Sequence, residues 1–123
     1  MKTPLEFILS AVRSTGADIA DARPLVRGMQ QLGMPLYQCQ PPTGYKDTAD
    51  AWTNTGALVN RMNFANQMAT GRQFGISLPG RDGFVETVLG KDVSESTRAT
   101  IAKAQTIAQM AALTFGSPEF QRR

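Results

Sequence analysis

Pro41–Ala69 reads PPTGYKDTADAWTNTGALVNRMNFANQMA, and it decides the fold. Its first part is punctuated by Pro41, Pro42 and Gly44 and carries Tyr45 and the chain's single tryptophan, Trp52. No helical or alternating period runs through 34–51, so this part predicts a loop. Thr53 or Asn54 then offers a helix cap. Leu58, Met62, Ala65 and Met68 follow at helical spacing, flanked by Val59 and Phe64, and Gly71 offers a stop. An aromatic loop feeding directly into a helix, with helices expected on either side, predicts an all-α chain.

Toward the N-terminus, Thr3-Pro4-Leu5-Glu6 has the form of a capping box with proline in the first turn. Leu5, Ile8, Leu9 and Val12 lie at i, i+3, i+4 and i+7, which predicts one buried helical face ending at Gly16. A second helix is expected over 21–32, with Leu25, Met29 and Leu32 inward and Gly33 and Pro35 closing it. Together these two helices suggest an αα-hairpin. Leu36, Tyr37, Tyr45 and Trp52 can pin the long loop onto them.

Toward the C-terminus, 72–81 reads as loop, with 75–78 a weak strand candidate. Asp82 can cap a short helix burying Phe84, Val85, Val88 and Leu89, closed by Gly90. Ser94 opens the last helical region, with Ile101, Ala104, Ala108, Ala111 and Phe115 near one face. Whether it breaks near 105–109 is left open by the pattern. Ser117-Pro118-Glu119 is a cap and first turn, which places Phe120 against the body. The expected architecture is a compact all-α bundle of about five or six helices with one long ordered proline-rich loop, in a single domain over 1–123.

Composition sets the function classes. Leu, Ile, Val and Phe make up about a fifth of the 123 residues, near the limit for a packed core, and alanines and six methionines supply further apolar volume. The net charge of +3 comes entirely from Lys2, Arg122 and Arg123 at the two ends. The interior arginines form no run, so no nucleic-acid face is expected. No segment has the roughly 20 apolar residues of a membrane span. Met1 directly precedes a capping sequence, which raises the expectation of a chain excised from something longer.

The residues that carry chemistry are few. The chain has no histidine, which removes the commonest general base and metal ligand together. Cys39 is a single thiol with no histidine to activate it, and no phosphate-binding glycine loop is present. No catalytic residue, metal site or cofactor is assigned. Asp47 and Asp50 beside Tyr45 and Trp52 have the makings of a carboxylate pair next to aromatic platforms. Against that, loop aspartates commonly accept local backbone hydrogen bonds. Tyr45 and Trp52 are a candidate sugar-stacking surface, and equally ordinary core aromatics. Arg61, one turn into the helix, is a candidate clamp on Asp47 or Asp50. The candidate binding set is therefore Tyr45, Asp47, Asp50, Trp52 and Arg61.

Three stretches carry a resemblance: KTPLEFILSAVRSTGAD, then RPLVRGMQQLGMPLYQCQPPTGYKDTADAWTNTGALVNRMNFANQMA, then TFGSPEFQRR. In this order the chain resembles the C-terminal end of the bacterial "domain of unknown function 1800" proteins, which are several times longer. Tyr45 stands where many of those proteins have a tryptophan after the glycine. The resemblance implies a largely helical fold, export from the cell, and the remainder of a parent chain as partner. It carries no activity onto these residues. It also implies an apolar patch facing the missing region or buried by homo-oligomerisation.

The leading functional expectation is a non-catalytic structural or interaction module of a larger exported protein. The alternatives are a carbohydrate- or cell-surface-binding module using Tyr45 and Trp52, and part of a catalytic site shared with the missing region. Exposure of the Trp52 ring separates the first two.

Overall fold

The structure is a computed structural model that describes residues 1–16, 18–70 and 83–122. These form seven α-helices and one 3-10 turn, with no strand among the described residues. The helices are α1 (Pro4–Thr15), α2 (Arg23–Gln31), α3 (Thr55–Thr70), α4 (Phe84–Leu89), α5 (Glu95–Ala102), α6 (Ile107–Gly116) and α7 (Pro118–Gln121). The 3-10 turn, Ala49–Trp52, ends the long loop. The expected stop at Gly71, the 72–81 loop with its strand candidate, and the expected cap at Asp82 lie outside the described residues.

The helix boundaries follow local chemistry. Thr3 Oγ1 accepts from the Glu6 N–H at 3.3 Å, and Glu6 Oε2 accepts from the Thr3 N–H at 2.8 Å, closing the capping box. Gly16 ends α1 at a φ of 62°, a left-handed conformation that suits a residue without a Cβ. Asn54 Oδ1 caps α3 through the Ala57 N–H. Ser94, Thr106 and Ser117 each accept from a backbone N–H three residues on, starting α5, α6 and α7. The open question about the last helical region is resolved by the Thr106 cap: the chain breaks after Ala102 and restarts at Ile107. That break, together with the terminal turn, brings the count to seven.

A chain of phenylalanines threads the core. Phe64, Phe7, Phe120, Phe115 and Phe84 stand in sequence with ring centroids 5.9, 5.8, 5.2 and 6.0 Å apart. This joins α3, α1, α7, α6 and α4 by tilted and edge-on contacts, each contributing about 0.5–1.5 kcal/mol beyond area burial. Ile8, Ala11, Met29, Met68, Ile101 and Ala111 fill the space around them. The most extensive helix pairing is α3 against α6, where the buried faces carry the small side chains Ala65, Ala69 and Ala111. Gly28 on α2 lies directly under the Phe64 ring.

Two expected faces are rotated. On α1 the buried residues are Pro4, Phe7, Ile8, Ala11 and Thr15, while Leu9 is exposed and Leu5 and Val12 are only partly buried. Phe7 wins the interior because its ring joins the aromatic chain. On α3 the inward residues are Arg61, Phe64, Ala65, Met68 and Ala69, so Leu58 and Met62 face outward instead.

Candidate functional site

The long loop closes on itself. The Tyr45 hydroxyl donates to the Pro35 carbonyl at 2.6 Å, and Trp52 Nε1–H donates to the Lys46 carbonyl at 2.8 Å. The two rings meet at 6.3 Å between centroids. Trp52 is 7% exposed, so little of its ring is open to solvent. A sugar stacking on it would require the loop to open. Burial pushes the Tyr45 hydroxyl pKa up. A cavity of about 400 Å³ lies between the limbs of the loop, lined among others by Pro35, Cys39, Tyr45, Lys46 and Trp52.

Neither Asp47 nor Asp50 lines that cavity. Asp50 sits in the first turn of the 3-10 segment, exposed. The Thr48 hydroxyl and backbone N–H groups donate to its carboxylate and hold its pKa below the ordinary value. A general acid needs the opposite shift. Asp47 is exposed beside it. Among the described residues, no three of His, Cys, Asp or Glu converge to hold a metal ion.

Arg61 is the sharpest departure from expectation. It is 2% exposed and turns away from the loop acids. Its Nη1 donates to Gln121 Oε1 at 2.8 Å, its Nη2 to the Lys2 carbonyl at 2.6 Å, and its guanidinium carbon lies 5.4 Å from the Phe7 ring centroid. Of the five candidate residues, Tyr45 and Trp52 are therefore brought together, Asp47 and Asp50 lie exposed on the surface beside them, and Arg61 belongs to the junction of the two chain ends. Tyr37, expected to pin the loop, is fully exposed with a φ of 60°. That conformation is rare for an aromatic residue and costs about 1–2 kcal/mol.

A second concavity had no counterpart in the sequence. It is a groove of about 340 Å³ between α5 and the end of α6, with Met62 of α3 at its edge. Its walls come from Ser96, Thr97, Thr100 and Ile101 on one side and Ala112, Leu113, Gly116 and Ser117 on the other. Both sets repeat with the four-residue spacing of a helix face. None of the described lining residues is ionisable. Beside it, the Glu119 carboxylate accepts from Ser94 Oγ at 2.6 Å, the Ser94 N–H at 3.2 Å and Thr97 Oγ1 at 3.0 Å. These bonds pull its pKa down to about 2 and tie α7 to the start of α5.

Next to the groove, α3 presents Leu58, Val59 and Met62 to solvent, with Val59 51% and Met62 63% exposed. The single charged residue of α3 is the buried Arg61. The remaining exposed positions along it include Asn60, Asn63 and Asn66. No helix among the described residues is long and apolar enough to cross a membrane.

No curated protein and no solved structure matches the chain. The sequence model of one family, described as "Protein of unknown function (DUF1800)", matches residues 1–122. With essentially the whole chain covered and the helical fold in place, this protein belongs to the DUF1800 family.

Proposed function

We propose that this domain is a non-catalytic structural or interaction module of a larger exported bacterial protein, working through the face formed by α3 and the α5–α6 groove. The larger, exported bacterial parent is what the resemblance to the family implies. The observation that carries the reading is the row Leu58, Val59 and Met62, exposed on a helix with no exposed charge. Depletion of charge together with an exposed methionine is a feature of interface cores. The loop supports the same reading from the other side. Its aromatic pair is closed by its own hydrogen bonds, and its Asp50 is held as an ionised surface carboxylate.

The experiment compares the parent protein carrying the native domain with one carrying Met62→Glu. A change of assembly state or stability of the parent, with the domain's own helix content intact, supports the reading. An unchanged parent, together with a turnover that Asp47→Ala or Asp50→Ala abolishes, overturns it.

A further inference from the structure

Arg61 is a cation sealed inside the protein by two pieces of chain that are far apart in sequence. Gln121 of α7 covers its Nη1 and the Lys2 carbonyl its Nη2, and only 2% of the residue reaches solvent. The two covers also hold each other. The Lys2 N–H donates to the Gln121 carbonyl, and Lys2 Nζ lies over the Phe120 ring. Lifting α7 alone therefore takes an acceptor from a buried guanidinium, an acceptor from the Lys2 N–H and the ring from beneath Lys2 Nζ. The Lys2 carbonyl is then left over a cation that water does not fully reach. A buried charge stripped of a partner is a costly arrangement. Releasing Lys2 as well relieves it, because water then replaces the lost acceptors.

Local bonds set the bounds of such a unit. On the N-terminal side, the Thr3–Glu6 capping box closes within the start of α1, and Pro4 and Phe7 are buried, so the first helix holds without Lys2. On the C-terminal side, Ser117 stands in extended conformation between α6 and α7, and its hydroxyl and N–H both bond back to the Thr114 carbonyl. It is the hinge. Beyond it α7 has four residues, too few to persist as a helix without its contacts. Three contacts keep it down: Phe120 between the Phe7 and Phe115 rings, Gln121 on Arg61, and Glu119 on the start of α5, where Ser94 and Thr97 donate to the carboxylate. The last of these lies apart from Arg61 and Lys2 and ties α7 to a different helix. Ser117 and Pro118 also wall the α5–α6 groove, so movement of α7 about the hinge alters that wall.

We infer that α7 and the segment around Lys2 form one strap, hinged at Ser117, anchored on Arg61 and latched by Glu119, that opens as a single unit while α1, α3 and α6 stay folded. The test is hydrogen exchange followed by NMR at the Lys2 N–H, the Gln121 N–H and the Arg61 side-chain N–H groups, in the native chain and in Glu119→Gln and Thr97→Val. Both variants weaken the latch without altering Lys2, Arg61 or Gln121. In the native chain the three sites are expected to share one protection factor, within about threefold, and to be less protected than the Phe64 and Met68 amides of α3. Each variant is expected to speed exchange at all three sites by the same factor, about 10-fold for a weakened hydrogen bond to a charged group. Circular dichroism checks that each variant is folded, and the comparison within the native chain stands without either. Faster exchange at Gln121 with Lys2 and Arg61 unmoved overturns the single unit. Protection in the native chain equal to that of the α3 amides overturns the strap, because the ends then open only when the whole chain unfolds. No change at any of the three sites in either variant overturns Glu119 as the latch.

Discussion

Arg61 and Gln121 form a buried hydrogen bond of 2.8 Å between residues sixty positions apart. It is the centre of a clasp. Gln121 Nε2 donates to the Phe115 carbonyl at 3.0 Å, the Lys2 N–H donates to the Gln121 carbonyl at 2.7 Å, and Arg61 holds the Lys2 carbonyl. Lys2 Nζ lies 4.0 Å from the Phe120 ring centroid. The first and last described segments are thus joined through one guanidinium on α3. Burial lowers the Arg61 pKa from its ordinary value, and hydrogen bonding to neutral oxygens keeps the cation solvated in place of water.

Gln121→Ala removes an acceptor from this buried cation and a donor from the Phe115 carbonyl. The expected loss is about 2–4 kcal/mol, since a buried charge stripped of a partner costs more than an ordinary hydrogen bond. Arg61→Met keeps most of the stem's volume and removes the charge, so it is expected to cost less. The double variant should be more stable than the sum of the two losses predicts. Urea unfolding followed by circular dichroism reads all three.

Gly28 sets the distance between α2 and α3. A Cβ placed there falls inside contact distance of the Phe64 ring edge. Alanine normally stabilises a helix interior by up to about 1 kcal/mol relative to glycine. Here Phe64 is locked between Phe7 and the α2 backbone, so the ring cannot yield cheaply. Gly28→Ala is expected to destabilise by about 1–3 kcal/mol, seen as a lower thermal midpoint. An unchanged or higher midpoint would show that α2 shifts freely on α3.

Much of the helical framework was legible because caps are local. Thr3 with Glu6, Ser94 and Ser117 each act within three residues, and Gly16 and Gly90 stop helices where they stand. Which face turns inward was less legible. α3 has apolar residues on two sides, so periodicity alone assigns Leu58 and Met62 to the core as readily as Phe64 and Ala69. Arg61 was legible as important and misplaced in its partner. A nearby aspartate is the simplest mate for an arginine, whereas its acceptors come from the opposite ends of the chain. The groove left no motif because its walls mix small, hydroxylated and aliphatic residues from separate helices.

Tyr45 and Trp52 give the loop a measurable lock. Because the indole is buried and bonded to the Lys46 carbonyl, its fluorescence is expected to resist quenching by acrylamide. Tyr45→Phe loses the bond to the Pro35 carbonyl and is expected to cost about 1 kcal/mol. Quenching should rise as the loop loosens. Strong quenching in the native chain would mean that the ring is open to solvent, and the sugar-stacking role would regain its physical basis.

Glu119 makes acid stability a local property. Its folded pKa of about 2 lies below the ordinary value of 4.5, because the Ser94 and Thr97 hydroxyls and the Ser94 N–H donate to the ionised form. A group whose pKa is depressed by folding contributes stability that is fully present above its unfolded pKa. That contribution is lost as pH falls toward the folded pKa. The window here runs from about 4.5 down to about 2. Glu119→Gln is expected to lower stability at neutral pH and to flatten the decline within this window, because the protonation step is gone. Measuring unfolding midpoints of the native and Glu119→Gln chains from pH 7 to pH 2 checks both parts. Parallel profiles would show that the carboxylate's charge does not hold α7 to α5.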